Sequence, residues 1–196
     1  MTLSDNKEEK EILGLLQQNT GDLEGRLIRK NFESIMDRIT SLWITDQKNN
    51  RAWTPEYREK VATLLRKEGN RHGFQMYMDT CETYSLRNES DGFPYSCEYR
   101  SRIQIILDEF VSFEDLVHPA DTQWLEENDQ LYREHTDQIP PIPIPSWVPE
   151  THWWWNAPTN HNMSQDEIDE KLGDYFLPDF LGDPPSPSST QNPNIK

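Results

Sequence analysis

A chain of 196 residues with 34% hydrophobic residues and a mean hydropathy of −0.91 suggests one compact domain plus a segment that leans on it or on a partner. Only four valines and eight scattered glycines occur, which argues against a large sheet and against glycine-rich phosphate-binding loops. The net charge of −16 disfavours direct binding of nucleic acid, because phosphates attract clustered basic residues.

Amphipathic periodicity predicts three helices in the first 68 residues. Apolar residues recur at steps of three and four over 5–18, 22–44 and 54–68, which places them on one face of each helix. Thr54 suits the N-cap of the third helix, and Gly69 fits its stop position. We expect these apolar faces to form the core.

The next segment, 73–86, fits two kinds of secondary structure. Phe74, Met76 and Met78 alternate as in a strand, while Phe74, Met78 and Cys81 match the spacing of a helix. We favour a helix, because a lone strand would have no second strand to pair with.

Two further helices are predicted after a turn-rich loop at 88–95. They cover 97–111 and 119–135, and Pro119 begins the second. The exposed face of the second helix is strongly acidic. It carries Asp121, Glu126, Glu127 and Asp129.

Residues 139–149 form a proline-rich segment. Dense proline removes backbone donors and favours an extended conformation. We expect an extended strap that packs over the helices through its isoleucines and Trp147. A semi-rigid linker is a second interpretation. An SH3-type ligand is a third, although its flanks lack a basic residue.

Three adjacent tryptophans, Trp153, Trp154 and Trp155, follow the proline-rich segment. They cannot all point into one core from a regular element, so at least one should face a groove, a partner or the strap. One interpretation is that they anchor the strap, and another is that they bind a partner or stack on a ligand.

A last helix is predicted over 164–177. Ser164 and Glu167 form a capping box at its start, and Phe176 lies on its apolar face. Its acidic residues Asp166, Asp169 and Glu170 make it resemble a short docking helix. The Pro- and Ser-rich tail that follows should be disordered.

These elements together predict a mainly α fold in three parts. An irregular helical domain covers 5–136, the extended Pro- and Trp-rich strap with the short acidic helix covers 137–181, and a disordered tail covers 182–196.

The charge of the chain is distributed unevenly. Residues 1–70 have no net charge, whereas residues 113–196 hold three Lys or Arg against sixteen Asp or Glu, a net of −13. The same segment holds five of the seven tryptophans, a residue type enriched in binding hot spots. This combination favours an acidic surface that steers a basic partner. The plainer interpretation is a solubilising half without a dedicated partner.

The sequence offers little that could support catalysis or metal binding. Cys81 and Cys97 are fifteen residues apart and belong to no C-x-x-C pair, and the histidines are scattered, so we expect no metal and no cofactor. The charged start predicts no secretory signal, and no stretch suits a membrane span. We expect a cytoplasmic protein with two buried thiols.

We therefore expect a non-enzymatic adaptor, assembly factor or inhibitor of the immunity type that engages a basic protein through its C-terminal half. Alternatives are a phosphate-mimicking inhibitor of a nucleic-acid-binding protein, a small enzyme with a tryptophan-lined pocket, and a subunit of a larger complex. The oligomeric state stays open. The expected partner-binding residues are Trp147, Trp153, Trp154, Trp155, Phe176, Glu126, Glu127, Asp129, Asp166, Asp169 and Glu170.

Overall fold

A computed structural model describes residues 7–86, 92–134 and 139–172 of the protein. The predicted mainly α fold is confirmed, since these residues contain seven α-helices and no strand. The helices are α1 (Lys7–Gln18), α2 (Gly25–Lys48), α3 (Pro55–Leu65), α4 (Glu68–Leu86), α5 (Gly92–Glu109), α6 (Trp124–Glu134) and α7 (Gln165–Leu172). None of them combines the length and apolar content that crossing a bilayer requires. The predicted boundary at 136, the end of the last helix and the tail lie outside the described residues.

The amphipathic helices of the first half meet in one core. On α2, Ile28, Phe32, Ile35 and Ile39 recur at helical spacing and are all buried. α4 packs against both α2 and α5, while α1 packs against α2 and α3. The predicted apolar faces are thus mostly buried, with the exception of Leu27 of α2, which is 46% exposed.

The predicted start of α3 is confirmed. Thr54 Oγ1 accepts a hydrogen bond from the Tyr57 backbone N–H at 3.2 Å, and Pro55 occupies the first turn, where no backbone donor is needed. The ambiguous segment 73–86 is helical, as favoured, and belongs to a helix that begins at Glu68.

The prediction that Gly69 ends a helix is wrong, because this residue lies in the first turn of α4. A Cβ on Gly69 would lie 2.2 Å from the Asn19 carbonyl oxygen, so a glycine is required by the close approach of two chain segments. The neighbouring Asn70 is fully buried and donates to the carbonyls of Leu16 and Leu64, each at 2.8 Å. It thereby binds carbonyls near the ends of α1 and α3, of which that of Leu64 also accepts from the Lys67 backbone N–H at 3.1 Å.

A second group of buried residues, here called the second core, joins α5 and α6 to the proline- and tryptophan-rich segment. Residues 139–152 contain no regular helix, and a short 3₁₀ turn at Trp153–Asn156 follows them. The members of the second core are Phe93, Cys97, Tyr132, Ile139, Ile142, Trp154 and Trp155.

Candidate functional site

Part of the partner-binding surface predicted from the sequence lies on α6. This helix has one buried face and one acidic face. Trp124, Asn128 and Tyr132 stand four residues apart and are all buried. Glu126 and Glu127 are exposed in the first turn, where negative charge is favourable beside the N-terminal end of the helix dipole.

Two of the three adjacent tryptophans lie inside the protein. Trp154 is 2% exposed and Trp155 is 1% exposed. Both indole N–H groups donate to the Ser101 hydroxyl of α5, at 3.1 and 2.8 Å, and Trp154 also donates to the Cys97 carbonyl at 3.1 Å. In this conformation no partner could touch either ring, so both leave the proposed binding surface.

His152 completes the arrangement around Ser101. Its Nδ1 lies 3.0 Å from Ser101 Oγ, whose two lone pairs already accept from the indoles, so the hydroxyl donates and the imidazole is neutral. Burial, helped by the nearby positive charge of Arg100, lowers the pKa of His152 to about 4. The His152 ring also stacks on Trp154 with centroids 4.7 Å apart.

Asp129, expected to attract a partner, is instead engaged within the chain. Its Oδ1 accepts from Nε of the buried Arg100 at 2.9 Å. The same guanidinium lies over the Trp154 ring, 4.4 Å from its centroid. Asp129 therefore neutralises a buried cation, and removing it would leave that charge without its partner.

The remaining predicted indoles, Trp147 and Trp153, are partly buried and keep some accessible surface. Trp147 packs against the main core and Trp153 against the second core. The guanidinium of Arg133 lies 4.7 Å from the centroid of the Trp153 ring, a cation–π distance.

Sequence reasoning missed Ile144, whose side chain is 43% exposed and is one of two large apolar side chains that the described residues leave exposed. Ile139 and Ile142, in the same proline-rich run, are buried. The repeated Ile-Pro pattern carries no signal that distinguishes the exposed isoleucine from the buried ones.

α7 begins with the predicted capping box. The Ser164 hydroxyl donates to Glu167 at 2.7 Å, and the same carboxylate accepts from the Ser164 backbone N–H at 2.8 Å. Asp166 and Glu170 are exposed. Phe176 and the side chain of Asp169 lie outside what the structure describes.

Four of the acidic residues predicted to bind a partner are exposed, and they belong to two helices, α6 and α7, that both contact the second core. Tyr132 of α6 is a member of this core, and Ile168 of α7 packs against it. We define the acidic face as Glu126, Glu127, Asp166 and Glu170, which those two helices carry.

The potential metal ligands of the described residues do not cluster: no group of three or more His, Cys, Asp or Glu side chains there could hold a metal ion. Both cysteines are buried free thiols, as predicted. Burial raises the pKa of Cys81 to about 11 and that of Cys97 well above its ordinary value, so neither is a ready nucleophile at neutral pH.

No known protein family, curated protein or solved structure matches this chain.

Proposed function

We propose that the chain is a non-enzymatic cytoplasmic protein that binds a basic protein partner through its acidic face. The observation that carries this proposal is the net charge of −13 over residues 113–196, against zero over residues 1–70. Charge of one sign on one part of a surface raises the encounter rate with a partner of opposite sign.

Basic residues elsewhere in the chain compensate part of this charge, since Arg100 pairs with Asp129 and Arg66 with Asp115. Within residues 113–134 and 139–172 the only basic residues are Arg133 and Lys171. Arg133 Nη1 lies 3.6 Å from Glu126, and both side chains are well exposed, so water and salt weaken the pair. Much of the negative charge thus remains available to an approaching partner.

Partly exposed apolar groups in the same half of the chain would supply affinity once a partner is docked. Ile144, Trp147 and Trp153 keep accessible surface, and partly exposed aromatic rings are common anchors in interfaces. Trp154 and Trp155 have a different role in this proposal, because they fasten residues 139–163 to α5 as a strap and so hold the anchors in place.

A phosphate-mimicking inhibitor is the special case in which the partner's basic surface is a nucleic-acid-binding site. The exposed Glu126 and Glu127 are as well suited to a basic nucleic-acid-binding site as to any other basic surface. It differs in one outcome, since DNA or RNA would then compete with the chain for the partner.

Affinity capture with the full chain tests the proposal. The test variant is the double change Glu126→Lys and Glu127→Lys, which reverses exposed charges in the first turn of α6. The matched control, Glu56→Lys with Glu59→Lys, makes the same exposed change near the start of α3. Cutting the chain after residue 136 would be a poorer test, because it would remove Trp154 and Trp155 from the second core.

We expect the α6 variant to lose its basic partners and the α3 variant to keep them. Equal capture by the two variants, or selective loss with the α3 variant, would contradict the proposal.

A further inference from the structure

One arginine of the acidic C-terminal half is held by two residues from different elements. Arg133 of α6 places its guanidinium 4.7 Å from the centroid of the Trp153 ring. Nη1 of the same guanidinium lies 3.6 Å from a carboxylate oxygen of Glu126. Because both distances end on one guanidinium, the Trp153 ring and the Glu126 carboxylate are placed to contact a single cation together.

The helix α6 brings Glu126 and Arg133 to the same side of the molecule. The two residues are seven positions apart, which is close to two full helical turns. Helical side chains lean towards the N-terminal end of the helix, so the long side chain of Arg133 reaches back towards Glu126.

The Trp153 ring is held in place by two buried aromatic rings. The Tyr132 ring lies 6.5 Å away with the two planes at 86°, and the Trp154 ring lies 6.1 Å away at 78°. Both neighbours are buried, at 0% and 2% exposure. Trp153 itself is only partly buried, so it offers a preorganised aromatic surface at the edge of the second core.

Arg133 can leave this place because its contacts lie near solvent. Its side chain is 47% exposed and that of Glu126 is 81% exposed. Ion pairs and cation–π contacts at exposed positions are weak, because water competes for the charges. Rotation of the Arg133 side chain therefore uncovers a carboxylate beside an aromatic ring, a combination that binds guanidinium groups.

We propose that Glu126 and Trp153 form a subsite for an arginine side chain of the basic partner, and that Arg133 occupies this subsite in the free chain. The inference rests on the proposed function, since it names the group of the partner that the acidic face receives. The incoming guanidinium stacks on Trp153 and pairs with Glu126, while Arg133 turns into solvent.

The chemistry of the subsite favours arginine over lysine. A guanidinium is planar, so it stacks on an aromatic ring and donates to a carboxylate through two N–H groups, which an ammonium does less well. Arg133 competes with the partner, because only chains in which its side chain has moved away can bind. The apparent affinity falls by the fraction of chains that are competent.

NMR titration of the full chain with two blocked peptides, tetra-arginine and tetra-lysine, tests the proposal. The peptides carry the same charge, so the acidic face attracts both. The Trp153 indole N–H is one of the seven tryptophan indole signals and is assigned by its loss in Trp153→Phe. We expect tetra-arginine to shift this signal saturably, with a dissociation constant on the order of 1 mM or tighter. Tetra-lysine should bind about threefold more weakly or worse.

A matched pair of variants separates the subsite from general attraction by negative charge. Glu126→Gln and Glu127→Gln each remove one exposed carboxylate from the first turn of α6. The two side chains project about 100° apart around the helix axis, and Glu126 is the one that pairs with Arg133 in the structure. We expect Glu126→Gln to weaken tetra-arginine binding about threefold or more beyond the effect of Glu127→Gln.

Removal of the internal arginine tests the competition. Arg133→Gln places another good helix former at this exposed position. We expect tetra-arginine to bind this variant about threefold or more tighter than the wild-type chain. The loss of a positive charge favours both peptides, so the gain of tetra-arginine in excess of that of tetra-lysine measures the vacated subsite.

Three results would overturn the subsite. The first is no saturable shift of the Trp153 signal with tetra-arginine up to about 10 mM, roughly ten times the expected dissociation constant. The second is equal weakening by Glu126→Gln and Glu127→Gln. The third is a gain in Arg133→Gln that is no larger for tetra-arginine than for tetra-lysine.

Failure of the subsite is distinguishable from failure of the proposed function. If Glu126→Gln and Glu127→Gln act equally while the double lysine variant of α6 still loses its captured partners, the acidic face attracts partners without an arginine subsite. If capture by the α6 and α3 variants is equal, the proposed function itself is wrong.

Discussion

The Ser101 hydroxyl uses its full hydrogen-bonding capacity, accepting from two indole N–H groups and donating to His152. Ser101→Ala would remove all three bonds at once. It would leave the Trp155 N–H without its partner, while Trp154 would retain the Cys97 carbonyl. We expect a loss of about 2 to 4 kcal/mol in the free energy of unfolding, measured with denaturant.

A serine with no such bonds provides the control. Ser112 is exposed, and its side chain makes no capping bond at the turn that it precedes. Ser112→Ala should change the free energy of unfolding by less than about 0.5 kcal/mol. A similarly small loss in Ser101→Ala would show that the indoles do not depend on this hydroxyl.

His152 makes stability depend on pH in a defined window. Its folded-state pKa of about 4 lies below its ordinary value of 6.5, so between these values the unfolded chain binds a proton that the folded chain does not. The contribution of His152 is complete above pH 6.5 and is lost as the pH falls towards 4. Of the charges that act on the ring, Arg100 favours the neutral form and Asp108 opposes it.

Comparison with His152→Asn isolates this effect, because the asparagine Oδ1 can replace Nδ1 as the acceptor for Ser101 and does not titrate. We expect the stability difference between the wild-type protein and the variant to shrink as the pH falls from 6.5 to 4, measured by unfolding at each pH. A difference that stays constant across the window would contradict the neutral, buried imidazole.

At the scale of the helix, two glycines should respond in opposite ways to the same substitution. Gly69 lies in α4, where a Cβ would clash with backbone atoms of Asn19 and Thr20 at 2.2 to 2.8 Å. Gly14 lies inside α1 with no atom within 4 Å of an added Cβ. We expect Gly69→Ala to destabilise the protein by several kcal/mol. Gly14→Ala should instead stabilise it by about 0.5 to 1 kcal/mol.

Thermal or denaturant unfolding of the two variants side by side gives the measurement. Gly14→Ala controls for helix propensity, so only the steric difference separates the pair. Equal effects of the two changes would mean that the turn after α1 and the start of α4 approach less closely than the structure shows.

Local patterns predicted several elements well because their causes lie within a few residues. The Thr54 cap and the Ser164–Glu167 capping box each depend on residues three positions apart. The long amphipathic stripe of α2 is equally local, and its buried face is the predicted one.

The functions of Gly69 and of the tryptophans could not be predicted in this way. Gly69 resembled a helix stop, but its partner is Asn19, fifty residues away. Trp154 and Trp155 fitted both an anchor for the strap and a binding anchor, and the residue that holds them, Ser101, lies more than fifty residues earlier in the chain. In the sequence nothing distinguishes Asp129 from the exposed acids, and only the folded structure shows its ion pair with Arg100. Contacts between distant residues leave no periodic signal in a single sequence.

At the scale of the whole molecule, the cysteines report on opening of the fold. Cys81 and Cys97 lie on α4 and α5, both are fully buried, and the pKa of each is raised by burial. We expect labelling by a thiol reagent at neutral pH to be slow in the native protein and to accelerate only as denaturant unfolds it. Rapid labelling without denaturant would contradict the packing of these helices.

Negative charge is concentrated in the C-terminal half of the chain, which carries the acidic face. The most direct test of steering by this face is the association rate constant of the full chain with its captured partner, measured at several salt concentrations. Because salt screens charges over about 30 Å at 0.01 M and only a few ångströms near 1 M, we predict a fall of about tenfold or more across this range. A rate constant that does not change with salt would contradict steering by the acidic face.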